Sequence, residues 1–233
     1  MQKIVSLARN RTKPGTILRW QVLKSVFKAE IKEDFKVLDI VGGDGFIASR
    51  IKKLYPDIDI TVVDIDNPGL QKAKERGIKT IFSDCLNLST VKDNSMDVVL
   101  GLDLLEHVEQ DGLFIKEMAR LLKKGGKFIL TTPVEKGVSF PFISKANSEK
   151  FNKNWGHIRK GYSIENLRKL LETSGLKITK TGGYFNILSR YAYWLKNYAP
   201  IRIKGSGILF RSIAMLEPYI KWGTQEHIII GRK

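Results

Sequence analysis

Two acids and two glycines near the start of the chain have the spacing of a nucleoside-binding site. Asp39 lies in a short β-branched apolar run, Gly43 and Gly45 follow it, and Asp64 ends a second apolar run 19 residues after Gly45. Glycines at such a turn let the backbone approach a ligand, and a helix that follows offers unpaired N–H groups. Asp64 is placed to accept two hydrogen bonds from ribose hydroxyls. The pattern therefore predicts a site for a cofactor with a ribose diol.

The elements that must position these residues are a strand, a tight turn and a helix. Residues 36–46 begin as an apolar run and end in glycines, and apolar residues then recur at helical spacing. Residues 43–48 satisfy the dinucleotide pattern G-x-G-x-x-G/A. Asp39, however, would repel the pyrophosphate of a dinucleotide. A cationic ligand such as S-adenosylmethionine, with its sulfonium and ammonium groups, suits the acids better than NAD does.

The chain resembles the class I S-adenosylmethionine-dependent methyltransferases (type 11/12-like) over roughly residues 36–184. The loop resembles the short acid-x-Gly-x-Gly-x-Gly form of that family. Further matching segments follow in order, and they are 82–85, 96–103, 104–108, 121–133 and 157–167. The resemblance implies a Rossmann-like, doubly wound α/β fold with a seven-stranded, mostly parallel sheet. In this chain, additional helices are expected at the N-terminus and between the last two strands of the sheet.

The resemblance also assigns cofactor contacts. The residues assigned are Asp39, Gly43, Gly45, Asp64, Ile65, Asp84, Cys85 and Leu102. The first acid and the glycines would hold the methionine end of S-adenosylmethionine, and the second acid its ribose. Asp84 would read the adenine amino group, and Cys85 would donate a backbone N–H. S-adenosylhomocysteine would be the product, and no metal is expected.

One position departs from the family, because Val41 stands where the first glycine of the loop is expected. A β-branched residue suits this position if the backbone is still extended, and Gly42 can then supply the permissive turn. If Val41 instead weakens the site, the alternative is a non-catalytic binding protein with a degenerate cofactor site.

Methyl transfer requires an acceptor aligned with the sulfonium, exclusion of water and, for a hydroxyl or amine, removal of a proton. The chain has three histidines. His107 and His157 are the predicted catalytic residues, one of them as general base with Asp103 or Glu106 as its orienter. A structural role for His107 stays open. His227 is predicted to lie within a strand.

The segment that would border the acceptor contains several basic residues. Trp155 and Arg159 are predicted to line the acceptor site, as an apolar wall and an anion contact. Residues 134–160 contain Pro141, serines, asparagines and lysines. At this length such a segment is usually functional or disordered, so we expect a mobile loop over the pocket.

Composition narrows the class of protein. A chain of 233 residues with 42% hydrophobic content can bury the core of one α/β domain. No apolar stretch reaches the ~18 residues that span a bilayer, and no signal peptide is evident. The single cysteine, Cys85, excludes an internal disulfide and a metal cluster of several thiolates. We therefore expect a cytoplasmic enzyme.

The formal charge of +16 is concentrated outside the predicted core. Residues 1–35 carry +5 and residues 185–233 carry +6. Such an excess favours an acidic partner, which could be a phosphate-bearing metabolite, an anionic membrane or nucleic acid. A basic protein without a specific anionic partner is the alternative. RNA methylation is the second candidate function, although the sequence lacks a recognisable RNA-binding module. Oxidoreductase activity is the least favoured, because of Asp39.

The chain divides into four predicted segments. They are a basic helical lid (1–35), the cofactor-binding core (36–184), an amphipathic helical insertion (185–224) and a last core strand (225–233). The insertion shows two runs of helical apolar spacing, separated by Pro200 and residues 205–207. Its aromatic residues and flanking cations suit a membrane interface or a lipid-linked substrate, whereas packing on its own domain or in a homodimer is the alternative. The predicted activity is methyl transfer to oxygen or nitrogen of a small-molecule or lipid-linked acceptor.

Overall fold

The computed structural model describes residues 13–141, 143–197, 205–220 and 222–233. The strands are β1 (Lys36–Ile40), β2 (Asp59–Asp64), β3 (Lys79–Phe82), β4 (Met96–Leu102), β5 (Leu122–Pro133), β6 (Lys177–Tyr184) and β7 (Glu226–Arg232). The helices of the described residues are α1 (Lys13–Glu30), α2 (Phe46–Leu54), α3 (Asn67–Glu75), α4 (Asp111–Leu121), α5 (Lys145–Asn154), α6 (Ile164–Glu172), α7 (Ile187–Asn197) and α8 (Ser206–Leu216). Short 3-10 turns cover Leu105–His107 and Glu217–Tyr219.

The seven strands form one sheet in the order β3-β2-β1-β4-β5-β7-β6. Strands β1 to β5 pair in parallel, whereas β7 runs antiparallel to both β5 and β6. The predicted doubly wound α/β fold is therefore confirmed. Because β7 is reversed, its first residue, Glu226, lies beside Pro133 and Tyr184 at the ends of β5 and β6. We call this edge, where β1 to β6 end and β7 begins, the carboxyl edge.

Helices cover both faces of the sheet, which explains why the parallel strands are nearly continuous apolar runs. Neighbouring residues of a strand point to opposite faces, so Val37 joins one buried cluster and Leu38 the other. The first cluster includes apolar side chains of α1, α2, α3, α7 and α8, and the second those of α4 and α6. The insertion therefore contributes to the core on the same face as α1.

The insertion forms the two predicted helices, α7 and α8. Gly205 precedes α8 with φ 82°, a left-handed conformation that favours glycine, and Pro218 lies in the 3-10 turn after it. Pro200 lies outside the described residues. Helix α8 packs against α7 and α1. Among the described residues, no helix is long and apolar enough to cross a membrane.

The expectation of a mobile loop over residues 134–160 was wrong, because this segment contains α5. Ser144 caps that helix by accepting a hydrogen bond from the backbone N–H of Asn147. Further along, the Asn152 amide donates to the carbonyl of Val138 at 2.7 Å, and Phe140 is buried. The serines and asparagines that suggested a loop thus cap and tie a short helix.

Candidate active site

Backbone strain concentrates at the carboxyl edge. Four non-glycine residues of the described chain have a positive φ, and three of them directly follow β1, β4 and β6. These three are Val41 (60°), Asp103 (49°) and Phe185 (60°). Such conformations are costly and cluster at functional sites. The strain therefore marks this edge as the candidate site.

The cofactor side of the edge is built around Asp64. One oxygen of its carboxylate accepts the backbone N–H of Gly43 at 2.8 Å. The other accepts from Ile65 at 2.8 Å and Asp66 at 3.0 Å. The side chain is buried. In this structure Asp64 therefore ties the glycine loop to the turn after β2, and its two bonds to a ribose stay a prediction.

The glycines of the loop are required by close approach as well as by backbone shape. Gly45 has φ 66°, and a Cβ added there would lie 2.8 Å from the Cβ of Ala73 in α3. A Cβ on Gly42 would lie 2.7 Å from a carboxylate oxygen of Asp39, which is itself buried. The loop thus packs directly over the first acid and against the neighbouring helix.

The backbone at Val41 does not meet the condition of an extended conformation. Its φ of 60° is left-handed rather than extended, and Gly43, not Gly42, supplies the second left-handed position. In this conformation the Val41 side chain is buried in an apolar cluster. Its backbone N–H donates a hydrogen bond to the carbonyl of Val63 at 2.7 Å. The β-branched residue therefore occupies a conformation that suits the missing glycine.

The remaining predicted cofactor residues lie at the ends of neighbouring strands. Ile65 follows β2 and is half-buried, Leu102 ends β4 and is buried, and Asp84 is exposed after β3. Burial, and after it the nearby Asp84 carboxylate, raises the pKa of Cys85 to about 12. The Cys85 thiol therefore stays protonated, and only its backbone is a candidate for binding. The cofactor contacts of all four residues stay predictions.

The acceptor side of the edge contains the two predicted catalytic histidines next to each other. The rings of His107 and His157 are perpendicular, with centroids 4.9 Å apart. His107 Nδ1 lies 3.0 Å from the carbonyl of Gly156, an arrangement that puts its proton on Nδ1. Its Nε2 lies 3.8 Å from a carboxylate oxygen of Glu106. Burial, and then His107, lowers the pKa of His157 to about 3, so that ring is neutral near pH 7.

Glu106 connects the histidines to the sheet. Its second oxygen accepts a hydrogen bond from the Thr132 hydroxyl at 3.1 Å. Donor atoms of Glu106, His107 and His157 all lie within 4.8 Å of one another, a spacing that a metal ion could share. That no metal is used stays a prediction. Burial, followed by repulsion from Glu106, raises the pKa of Glu226 well above its usual range, although Arg19 opposes this shift.

A second part of the acceptor side centres on Asp103. Arg19 of α1 forms an ion pair with one oxygen of Asp103. The other oxygen accepts from Thr131 and, at 3.1 Å, from the Tyr184 hydroxyl. Arg19 and Tyr184 are both buried. Asp103 was predicted to orient a histidine, but its side chain contacts Arg19, Thr131 and Tyr184.

The two other residues expected at the acceptor site differ in outcome. Trp155 packs against Phe140 and lies 5.7 Å from His157 between ring centroids, so it does form an apolar wall beside the histidines. The prediction that Arg159 contacts an anion was wrong. Its guanidinium pairs with Asp111 and also donates to the Tyr162 hydroxyl at 2.7 Å and to two backbone carbonyls. Arg159 therefore fixes the scaffold.

His227 lies in β7, as predicted, and its Nε2 is 3.0 Å from the carbonyl of Tyr162. This contact is outside the pair formed by His107 and His157. Its pKa is lowered by burial, with the contact to Tyr162 opposing. His227 therefore provides a matched structural histidine for experiments on the pair.

Comparison with known proteins agrees with this geometry. Residues 38–130 match the family described as a methyltransferase domain. Phosphoethanolamine N-methyltransferase 2 of Haemonchus contortus, solved with S-adenosyl-L-methionine, superposes with a TM-score of 0.63 at 16% identity. The superposition covers 97% of this chain and 59% of that one. Residues 38–130 are therefore similar to a methyltransferase domain, and the fold is that of the class I S-adenosylmethionine-dependent methyltransferases.

Two relatives of the methyltransferase domain are similar in sequence over part of their length. Ubiquinone/menaquinone biosynthesis C-methyltransferase UbiE of Desulfotalea psychrophila is 32% identical over 114 residues, 46% of each chain. Ubiquinone biosynthesis O-methyltransferase of Xanthomonas oryzae pv. oryzae is 29% identical over 103 residues, 42% of each chain. The chain thus spans less than half the length of these two relatives.

The cofactor side fits the methyl donor of this methyltransferase family. Two buried acids, Asp39 and Asp64, give this side of the edge negative charge, which suits a ligand that carries a sulfonium and an ammonium group. Gly43 and Gly45 are left-handed, so the backbone of the loop can approach a ligand without a Cβ in the way. Bound S-adenosylmethionine would be held by this loop and by the end of β2.

Sequence reasoning missed three residues of the acceptor side, which are Arg19, Tyr184 and Glu226. Each lies in an ordinary helix or strand pattern, far along the chain from the histidines. The available signal was the pairing of the last strand: an antiparallel β7 must begin at the carboxyl edge. Glu226, its first residue, could have been placed there before the structure was known.

Proposed function

We propose that the protein transfers a methyl group from S-adenosylmethionine to an oxygen or nitrogen atom of a small acceptor with an apolar body. The observation that carries the proposal is the placement of two half-sites on one sheet edge. The glycine loop and Asp64 form one, and the pair of His107 and His157 forms the other. The ubiquinone and menaquinone names of the relatives support a small-molecule acceptor.

S-adenosylmethionine, when bound, supplies an activated methyl group on its sulfonium. The chain's own part is then to align the acceptor and to remove its proton. His107 is the proposed base, because its Nδ1 proton is directed to the Gly156 carbonyl and its Nε2 faces Glu106. As Nε2 takes the proton, the Glu106 carboxylate stabilises the imidazolium that forms. His157, kept neutral, packs against this ring.

The body of the acceptor is proposed to contact the aromatic cluster beside the histidines. Trp155, Phe140 and Tyr193 pack with ring centroids 5.9 to 6.2 Å apart. Trp155 connects this cluster to His157. Such a wall favours an aromatic or isoprenoid body and helps to exclude water from the transfer.

The test has two stages. The protein is first titrated calorimetrically with S-adenosylhomocysteine, and the expected result is micromolar binding. Turnover of phenols, catechols and amines that carry alkyl tails is then followed as S-adenosylhomocysteine release. His107→Gln is expected to lower kcat by about a hundredfold or more, whereas His227→Gln leaves it nearly unchanged. Equal rates for the two variants would contradict the assignment of the base, and absence of cofactor binding would contradict the enzyme itself.

We further propose that the insertion contacts an anionic membrane, so that the protein is a cytoplasmic enzyme at the membrane surface. Eleven large apolar side chains are exposed in the described residues, and eight lie in the insertion. The eight are Leu188, Tyr191, Ile208, Leu209, Met215, Leu216, Tyr219 and Trp222. The sole acid of the insertion, Glu217, is buried, whereas Arg211 is exposed. An apolar face that carries basic side chains and no exposed acidic side chain suits a membrane of anionic lipids.

Sedimentation with vesicles tests the membrane contact. Binding to phosphatidylcholine vesicles is expected to rise on addition of phosphatidylglycerol and to fall by about tenfold in the double variant Ile208→Asp/Trp222→Asp. Leu113→Asp, at an exposed apolar residue of α4, is the matched control and should bind as the parent does. Loss of vesicle binding in the control to the same extent would contradict the assignment. A dimer in solution that the double variant abolishes would instead assign this face to a second copy.

A further inference from the structure

Several buried polar atoms have no hydrogen-bond partner. Six such side-chain atoms occur in the described residues, and four of them belong to the acceptor side. These four are Nε and Nη1 of Arg19, Nδ1 of His157 and Oε2 of Glu226. Native proteins seldom leave buried polar atoms unpaired, and an exception calls for a physical explanation. Unused donors and an unused carboxyl oxygen in one region are what a polar ligand would satisfy.

The residues that carry these atoms are connected through the sheet edge. Arg19 and Tyr184 both contact Asp103, and Glu226 is the cross-strand partner of Tyr184. Glu226 in turn interacts electrostatically with Arg19 and Glu106. From Glu106 the side chains continue to His107 at 3.8 Å. The unused atoms therefore border the same region as the proposed base.

We propose that Arg19 and Glu226 form a subsite for the polar head of the methyl acceptor, and that this head is a neutral group with a hydroxyl next to a second oxygen. The proposal rests on the proposed function and deepens it. The guanidinium would donate Nε–H and Nη1–H to the oxygen atoms of the head. Oε2 of Glu226 would hydrogen-bond the hydroxyl. Together they would turn the hydroxyl toward His107.

The charges around the subsite favour a neutral head. The positive charge of Arg19 is already balanced by Asp103. Glu106 lies nearby, so an anionic head would be repelled. A cationic head, which offers no acceptor, would leave the Nε–H and Nη1–H groups of Arg19 without partners. The raised pKa of Glu226, caused by burial and by Glu106, agrees with a site that holds little net charge.

Access to the subsite is controlled by α1, because Arg19 is part of that helix and its side chain is only 10% exposed. The unused atoms are shielded from solvent in this structure. An acceptor therefore reaches them as α1 moves away from the carboxyl edge and returns. This gives the predicted lid segment a specific role, in which its own side chain binds the acceptor.

Binding of small probes to the protein saturated with S-adenosylhomocysteine tests the subsite. Catechol has two adjacent hydroxyls on an aromatic ring, 1,2-dimethoxybenzene lacks the hydroxyl hydrogens, and benzoate is anionic. The affinity for catechol is expected to be higher by about tenfold, or by more, than the affinity for either of the other two probes. Its binding should also slow hydrogen exchange in α1. Tighter binding of benzoate than of catechol would overturn the neutral-head assignment.

Two buried glutamates provide a matched pair of variants. Glu217 is as buried as Glu226, but its oxygens accept hydrogen bonds from Asn186 and Ser189. Glu226→Met is expected to weaken catechol binding about tenfold with little loss of thermal stability, because it removes an unpaired group. Glu217→Met should keep catechol binding and lower Tm by about 4 °C or more. The opposite pattern would overturn the proposal.

Failure of this subsite and failure of the enzyme are distinguishable. If the parent binds S-adenosylhomocysteine but none of the probes, the subsite is wrong and the cofactor site stands. If S-adenosylhomocysteine does not bind, the methyltransferase function itself is wrong. Arg19→Lys, which keeps a positive charge beside Asp103 but removes the unused guanidinium N–H groups, should retain cofactor binding and weaken catechol binding about tenfold.

Discussion

The two halves of the carboxyl edge are built differently. On the cofactor half, the buried carboxylate of Asp64 is satisfied by three backbone N–H groups from two nearby turns. On the acceptor half, buried side chains from α1, β5 and β6 contact Asp103, which follows β4, and Arg19 and Glu226 retain unused polar atoms. The cofactor half is therefore pre-organised by local chain geometry, whereas the acceptor half depends on distant segments and on what binds there.

The largest effect is expected from breaking the cofactor half at Asp64. Asp64→Ala leaves three backbone N–H groups without their acceptor, so the free energy of unfolding should fall by about 3–5 kcal/mol. Binding of S-adenosylhomocysteine should no longer be measurable. Urea unfolding and calorimetry check the two outcomes. Asp66→Ala, which removes only the helix cap to Gly69, should cost about 1 kcal/mol and retain binding.

The next effect comes from breaking the acceptor half at the buried ion pair. Arg19→Met leaves the Asp103 carboxylate without its cation, and we expect a loss of about 3 kcal/mol in unfolding free energy. The double variant Arg19→Met/Asp103→Asn should recover at least half of that loss. Both variants should still bind S-adenosylhomocysteine, because the cofactor half is separate. If losing Arg19 abolished cofactor binding as fully as losing Asp64, the two halves would not be independent.

Strain at Val41 sharpens the comparison within the cofactor half. Val41→Gly removes a buried side chain but also relieves a left-handed β-branched residue, and the two effects of about 1–2 kcal/mol should nearly cancel. Val37→Gly removes a buried valine from an extended strand without such relief, and should cost about 3 kcal/mol. Equal losses in urea unfolding would show that Val41 is not strained.

The smallest effect is a pH dependence on the acceptor half. Burial lowers the folded-state pKa of His157 to about 3, so the unfolded chain binds its proton first as pH falls. Stability is full above pH 6.5 and declines from there down to about pH 3. Between pH 7 and pH 5, His157→Gln should therefore lose about 2 kcal/mol less unfolding free energy than the parent does. A variant whose unfolding free energy tracks the parent's at every pH would contradict a buried neutral His157.

The sequence by itself determined the doubly wound α/β fold and the location of the cofactor half. Asp39, the glycines and Asp64 lie within one strand-turn-helix-strand stretch, and turn chemistry with apolar periodicity specifies such a unit locally. His107 and His157 were both predicted as catalytic candidates, and the structure places their rings next to each other. The two helices of the insertion followed from their apolar spacing.

Only the tertiary structure decided the acceptor half. Arg19 and Glu226 come from opposite ends of the chain, and they meet because α1 packs over the sheet and β7 inserts antiparallel between β5 and β6. Arg159 looked like a free cation in the sequence, but long-range packing uses its guanidinium for Asp111. Val41 adopts a left-handed backbone that its residue type disfavours. Long-range contacts outweigh local preference at these positions because their free energies exceed those of a turn or a rotamer.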